Sequence, residues 1–304
     1  MATRKSVILI TTSSFGKEDS LPLRLMQDNG FSYILNPLKR TLQESELQSF
    51  LAEHKPDYII AGTEKISKET LQTAKTFLKG VSRCGVGMDN VDLQVAEDLE
   101  ISVWNTPDAP TKAVAELTIG LMLDVLRRIS ATDKNIRTGK FDKFMGNLLF
   151  EKIVGIIGYG RIGRQVALYA EAFGSKIIYN DPGNPNSKQL DYLFKESDIV
   201  TLHCPLIPET KNIINADALS GMKKTAILLN VSRGGLIDEN ALITALSEKR
   251  VAGAALDCFE KEPYSGELTK FDNVVLTSHI GSYAKESRIK QEIDAVKNIL
   301  GSEK

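Results

Sequence analysis

The chain has 304 residues, 42% hydrophobic and 25% charged, enough for two globular domains of ordinary size, each with its own core. Its 38 basic and 39 acidic residues leave a formal net charge of -1, so no nucleic-acid or membrane surface is expected and a small molecule is the default partner. Three cysteines, Cys84, Cys204 and Cys258, lie far apart with no CxxC spacing, which points away from structural zinc and disulfides and towards a reduced, cytoplasmic protein.

In chain order, the apolar run Val7–Ile10 is too short for a signal-peptide core and reads as a first buried strand, Val7–Thr11. Further strands are expected at Phe31–Leu35, Tyr58–Ala61, Val81–Cys84 and Ile101–Trp104, with helical patterns such as Glu44–Glu53 and Lys68–Leu78 between them. Alternation of this kind predicts parallel βαβ units. After NTPDAP a long helix is expected over Thr111–Ser130; Glu116, Asp124, Arg127 and Arg128 exclude it as a membrane span. A polar stretch, Thr132–Asn147, follows.

A second series opens with KIVGIIGYGRIG and continues with strands at Lys176–Tyr179, Ile199–His203, Ala226–Asn230, Ala252–Leu256 and Asn273–Leu276, then a last helix over Lys285–Leu300. The expected fold is therefore α/β, with two Rossmann-like or flavodoxin-like doubly wound parallel-sheet domains and a cleft between them. The boundaries expected are 1–104 with 284–304 for one domain and 105–283 for the other.

GYGRIG places Gly158, Gly160 and Gly163 in G-x-G-x-x-G spacing between the strand Ile153–Ile157 and a helix running to about Phe173. Gly158 permits the tight turn, Gly160 lets a pyrophosphate approach the backbone, and Gly163 lets helix and strand pack closely. The N–H groups at the helix start would hold the phosphates. Asp181 ends the next strand, eighteen residues past Gly163 (181 − 163), where a carboxylate takes the adenosine ribose hydroxyls and repels the extra phosphate of NADP. NAD is the expected cofactor, and no metal is.

Three further residues follow strands of this series: Arg233 after TAILLN, Glu262 in the loop beyond Asp257, and His279 after Val274–Leu276. Loops leaving one sheet edge let them converge beside a bound nicotinamide. Arg233 can grip an α-carboxylate bidentately and polarise a keto oxygen. His279 can supply the proton, with Glu262 favouring its charged form and fixing the ring.

RCGVGMDNVD (83–92), NTPDAPTKAVAEL (105–117), GIIGYGRIG (155–163), LHCPLIPET (202–210), NVSRGGLIDENAL (230–242), GAALDCFEKEP (253–263) and HIGS (279–282) together resemble the D-isomer-specific 2-hydroxyacid dehydrogenase family, most closely its phosphoglycerate dehydrogenases. The resemblance implies a substrate lobe made of the N-terminal segment and the last helix, an NAD lobe from the middle, and catalytic roles for Arg233, Glu262 and His279. It implies cofactor contacts from Gly158, Tyr159, Gly160, Arg161, Ile162, Gly163, Asp181, Cys204, Pro205, Thr210, Val231, Ser232, Asp257 and Gly281, with Asp257 on the carboxamide. The loop Cys84–Gly87 would offer N–H groups to the substrate carboxylate, and the helix from about Thr111 would lie in a homodimer interface.

The activity so implied is hydride transfer between NAD(H) and a D-2-hydroxy acid, with 3-phosphoglycerate favoured over glyoxylate or hydroxypyruvate, and a non-enzymatic NAD-sensing scaffold as the alternative class. Arg83 and Lys143 match basic positions that would hold the phosphate. An arginine common soon after the third strand is missing, however, and Gly62 in DYIIAGTEK stands nearest its place. Longer relatives carry a C-terminal regulatory domain, and control through one is not expected here.

Overall fold

The structure is a computed structural model and describes residues 5–303; Met1–Arg4 and Lys304 lie outside the described residues. Contacts divide the chain into Met1–Pro110 with Ser282–Lys304, and Thr111–Gly281. The first unit contains β1 (Val7–Ile10), α1 (Leu21–Asp28), β2 (Ser32–Leu35), α2 (Glu44–His54), β3 (Tyr58–Ala61), α3 (Lys68–Ala74), β4 (Gly80–Arg83), α4 (Leu93–Asp98) and β5 (Ser102–Trp104). The second contains α5 (Thr111–Arg127), α6 (Ile129–Arg137), β6 (Ile153–Ile157), α7 (Arg161–Ala172), β7 (Lys176–Asn180), α8 (Leu190–Glu196), β8 (Ile199–Leu202), α9 (Ala216–Gly221), β9 (Ile227–Asn230), α10 (Glu239–Ser247), β10 (Gly253–Leu256) and β11 (Val274–Leu276). The last helix, α11 (Lys285–Ser302), belongs to the first unit.

Each unit is built on one parallel sheet, ordered β2-β1-β3-β4-β5 in the first and β11-β10-β9-β8-β6-β7 in the second. Parallel strands are covered by helices on both faces, which is why β3, β4, β8, β9 and β10 are buried at every position. The first core gathers Leu9, Ile59 and Val81 against the helices α2 and α3 on one face, and Ile8, Ile10 and Ile60 against Val296 and Ile299 of α11 on the other. In the second, α7 turns Gly163, Val166, Ala167 and Ala170 inward, a three-and-four spacing that lays one helical stripe on the sheet and α5. Full burial of one such aliphatic side chain contributes about 1.5–3 kcal/mol.

Side-chain caps fix where helices begin. Ser67, Asp92, Asn215 and Asp238 each accept a hydrogen bond from a first-turn N–H of α3, α4, α9 and α10. Two expectations change. The helix expected over Thr111–Ser130 ends at Arg127, because Arg128 adopts a left-handed conformation (φ 54°), and α6 starts anew at Ile129 and runs on to Arg137, into the stretch read as polar chain. The pattern over Lys68–Leu78 stops at Ala74, and Leu78 reaches the core through a turn in which its N–H bonds Ala74 O.

Candidate active site

In both sheets all strands point the same way, so the loops that follow them share one edge. In the second unit the order changes direction between β6 and β8, the point where ligands settle in open α/β sheets. The glycine turn follows β6 and Cys204–Pro205 follows β8. Gly158 has φ 93°, and a Cβ there would lie 2.5 Å from Cys204 N, so only glycine allows the two loops to touch. A Cβ on Gly163 would overlap the Gly158 carbonyl, whereas one on Gly160 would meet nothing within 4 Å. The backbone at Gly160 therefore faces open space at the head of α7, whose first-turn N–H groups have no partner within the helix. These features fit a dinucleotide pyrophosphate.

Asp181, just past β7, accepts hydrogen bonds from Tyr159 N at 2.7 Å and Gly183 N at 3.1 Å, which ties the expected ribose-binding carboxylate to the glycine turn. The Tyr159 ring stacks on Tyr179, centroids 3.8 Å apart, and steadies that turn further. On the other side of the turn, Ser232 Oγ donates to Cys204 O at 2.6 Å and Thr210 Oγ1 to Pro205 O at 2.6 Å. Burial pushes the Cys204 thiol up to about 11, so it stays a neutral wall group.

Of the three expected catalytic residues, the structure joins two directly. His279 Nδ1 lies 3.0 Å from Glu262 Oε2 and 3.1 Å from Oε1, and Oε1 also accepts the Phe259 N–H at 3.0 Å. Asn230, fully buried at the end of β9, shapes the Arg233 turn: its Nδ2 donates to Arg233 O at 2.8 Å and its Oδ1 accepts from Ser232 N at 3.1 Å. Arg233 itself donates from its guanidinium to Ser232 O at 2.8 Å. Gly234 follows because a Cβ there would run into the backbone of Phe259 and Glu260, so the Arg233 loop rests against the loop carrying Glu262. Burial raises the Cys258 thiol far above its usual range; the Asp257 and Glu262 carboxylates add to this and Arg233 opposes it.

Asp257 has a role that sequence reasoning missed. Almost fully buried, it accepts from Thr277 Oγ1 at 2.6 Å and Ile280 N at 2.8 Å on Oδ1, and from Gly281 N at 2.8 Å on Oδ2. These bonds bracket His279, which sits at φ 55°, a conformation that costs a non-glycine residue energy and needs such fixing. The spacing D-x21-H between strand ends was the only signal, and it does not tell a brace from a cofactor ligand.

In the first unit, the Cys84–Gly87 loop follows β4. Only part of it matches the expectation of free N–H groups: Cys84 N donates to Ala61 O at 2.9 Å and Gly85 N to Thr106 Oγ1 at 2.8 Å. The N–H groups of Val86 and Gly87 have no partner among the described residues, and Asn105 Nδ2 braces the loop by donating to Val86 O at 2.7 Å. Arg83 is buried, and its guanidinium donates to Cys84 O beneath Gly85. Lys143 is exposed in the irregular segment after α6.

The sequence model described as D-isomer specific 2-hydroxyacid dehydrogenase, NAD binding domain, matches residues 119–281. The chain belongs to the D-isomer-specific 2-hydroxyacid dehydrogenase family. It is 39% identical over 271 residues to a hydroxypyruvate reductase of Thermotoga maritima, covering 85% of this chain and 88% of the relative. To a D-3-phosphoglycerate dehydrogenase of Synechocystis it is 37% identical over 274 residues, 86% of this chain but 49% of the relative, so it spans about half of that protein. Among solved structures, an acyclic imino acid reductase in complex with NADPH and D-Arg superposes with a TM-score of 0.88 at 29% identity, over 97% of this chain and 96% of the other. The residues that match the NAD-binding model, 119–281, fall within the second unit, Thr111–Gly281.

Proposed function

We propose that the protein catalyses NAD-dependent interconversion of a D-2-hydroxy acid and the matching 2-keto acid. The observation that carries this reading is the His279–Glu262 pair at 3.0 Å, on loops leaving the same sheet edge as the glycine turn. The cofactor, when bound, supplies or accepts the hydride. With Glu262 on Nδ1, the His279 ring is oriented so that Nε2 is the atom that gives a proton to the keto oxygen in reduction and takes it from the hydroxyl in oxidation. Arg233 holds the substrate carboxylate and polarises the keto group.

Of the two substrate readings, we favour an unphosphorylated short acid such as glyoxylate or hydroxypyruvate over 3-phosphoglycerate. Arg83, the cation expected to hold a phosphate, is buried and bonded to its own loop. The protein is further proposed to act in the cytoplasm as a homodimer formed through the NAD-binding unit, where Phe141 and Met145 are 82% and 95% exposed and Ile136 and Leu148 are also uncovered.

The test is NADH oxidation by the purified protein with glyoxylate, hydroxypyruvate, phosphohydroxypyruvate and 2-oxoglutarate. Turnover with a 2-keto acid, lowered about two to four orders of magnitude in kcat by His279→Ala, is expected. No turnover with any of the acids, or near-normal turnover in His279→Ala, would overturn the reading.

A further inference from the structure

Glu262 lies in a segment, 260–263, that is exposed at every position, and a carboxylate on such a loop has freedom that would blur its contact with His279. The second unit restrains it from both sides. Phe259 donates its N–H to Glu262 Oε1 at 3.0 Å, and Tyr264, beyond Glu262, lays its ring on that of Phe259, with centroids 4.2 Å apart and planes 19° from parallel. The stack closes residues 259–264 into a loop with Glu262 on its span. Both rings are half-buried and pack on the core that holds Leu242 and Leu268.

The Tyr264 hydroxyl anchors that loop. It donates to Glu239 Oε1 at 2.6 Å and accepts the Leu268 N–H at 3.2 Å, from the short 3-10 turn Glu267–Lys270. Gly266 leaves room for it, since a Cβ there would run into the hydroxyl oxygen. Glu239 opens α10, and the chain from Arg233 reaches it through the 3-10 turn Gly234–Leu236 and the cap Asp238. That stretch is itself pinned: Ile214 N donates to Leu236 O at 3.0 Å, and Asp238 N to Ile214 O at 2.9 Å. One side-chain bond therefore ties the loop bearing Glu262 to the segment bearing Arg233. Burial and the Glu239 carboxylate push the Tyr264 hydroxyl up to about 12, so it stays a donor at neutral and mildly alkaline pH.

We propose that Tyr264 and Glu239 are positioning residues, whose hydrogen bond holds the loop 259–264 closed and so keeps the Glu262 carboxylate on His279 Nδ1. The proposal rests on the reading of His279 as the proton donor and adds what fixes that residue's tautomer. Neither side chain touches the reacting atoms; both act through Glu262. With Glu262 in place, Nδ1 of the neutral ring carries a proton and Nε2 is left to exchange one with the substrate. When the anchor is lost, the loop opens, Glu262 leaves, and the ring reverts to the tautomer that a free imidazole favours, with its proton on Nε2.

The experiment records the ring-nitrogen NMR shifts of isotope-labelled histidine, together with kcat, NADH affinity and the denaturation midpoint, in the wild type, Tyr264→Phe, Glu239→Gln and Glu239→Ala. Signals of His279 are identified by their loss in His279→Ala. At alkaline pH the wild type should carry the proton on Nδ1. Tyr264→Phe keeps the stacked ring but should move the proton towards Nε2 and lower kcat by about tenfold to a hundredfold, with NADH affinity retained. Glu239→Gln keeps an acceptor oxygen for the hydroxyl and should lose less than Glu239→Ala in both respects. A lower midpoint with unchanged ring shifts would make the pair merely structural and overturn the proposal, as would a wild type with its His279 proton on Nε2. If Tyr264→Phe does not fold, the two Glu239 variants carry the test. Should the wild type turn over no 2-keto acid, the function reading fails instead, and the ring shifts alone decide whether Tyr264 and Glu239 position Glu262.

Discussion

Replacing Asp257 with Asn tests whether this carboxylate holds His279, the proposed proton donor, in place. Its two oxygens accept three hydrogen bonds, from Thr277 Oγ1, Ile280 N and Gly281 N. An amide keeps one acceptor oxygen. If that oxygen stays with Thr277 and Ile280, the NH2 group faces the Gly281 N–H, and a bond to a charged acceptor worth about 1.5–3 kcal/mol is lost. The two remaining bonds weaken as well, because charge-assisted bonds are roughly twice as strong as neutral ones. The total, about 3–4 kcal/mol, is a large share of an ordinary domain's stability of roughly 5–15 kcal/mol. Part of it should appear as a lower denaturation midpoint, and part as release of His279 from φ 55°, with kcat down about a hundredfold if the ring shifts by about 1 Å. The assay pairs guanidinium unfolding with kcat and with NADH affinity from fluorescence. An Asp257→Asn variant with wild-type midpoint and kcat would refute the bracing role; weakened NADH binding with normal kcat would assign Asp257 to the carboxamide instead.

Three further outcomes are expected. Asp181→Ala removes the acceptor of the Tyr159 N–H and the carboxylate proposed to repel a 2′-phosphate, so the preference for NAD over NADP should narrow; a wild type that prefers NADP would refute the assignment. Burial pushes the His203 pKa down to about 3, so the unfolded chain takes up a proton near pH 6.5 that the folded chain refuses, and stability falls as pH drops from about 6.5 towards 3. Between pH 7 and 4.5 this amounts to about 2–3 kcal/mol, and His203→Gln should lessen the loss measured by denaturant unfolding at the two pH values; an unchanged difference would clear His203. Phe141→Asp with Met145→Asp should halve the mass seen in sedimentation while preserving the far-UV spectrum, and a wild type that sediments as a monomer would remove the dimer proposal.

Strands such as VILI, IVGII and VVL were legible because each is a short apolar run rich in β-branched residues, and the glycine turn was legible because its spacing lies between a strand and a helix. Arg233, Glu262 and His279 could be listed from their positions after strands, but only the fold brings Glu262 to His279. The break at Arg128 was hidden because a left-handed arginine has no sequence signature and the residues on both sides favour helix. The Tyr264 anchor was hidden for another reason: it closes on Glu239, 25 residues earlier, and pairing over that separation leaves no local pattern. What demands Gly234 is the backbone of Phe259, a neighbour in space alone.

The helix α11 completes the first unit's core with Ala295, Val296 and Ile299, packed on Ile8, Ile10 and Ile60, yet it follows the whole of the second unit in sequence. During synthesis, then, one face of the first sheet waits uncovered while more than half of the chain is still being made. The NAD-binding unit, Thr111–Gly281, is continuous and can close as soon as it leaves the ribosome. Biogenesis should therefore run against the order of the sequence, the later-made unit maturing first and the earlier-made one depending on chaperone cover until α11 arrives.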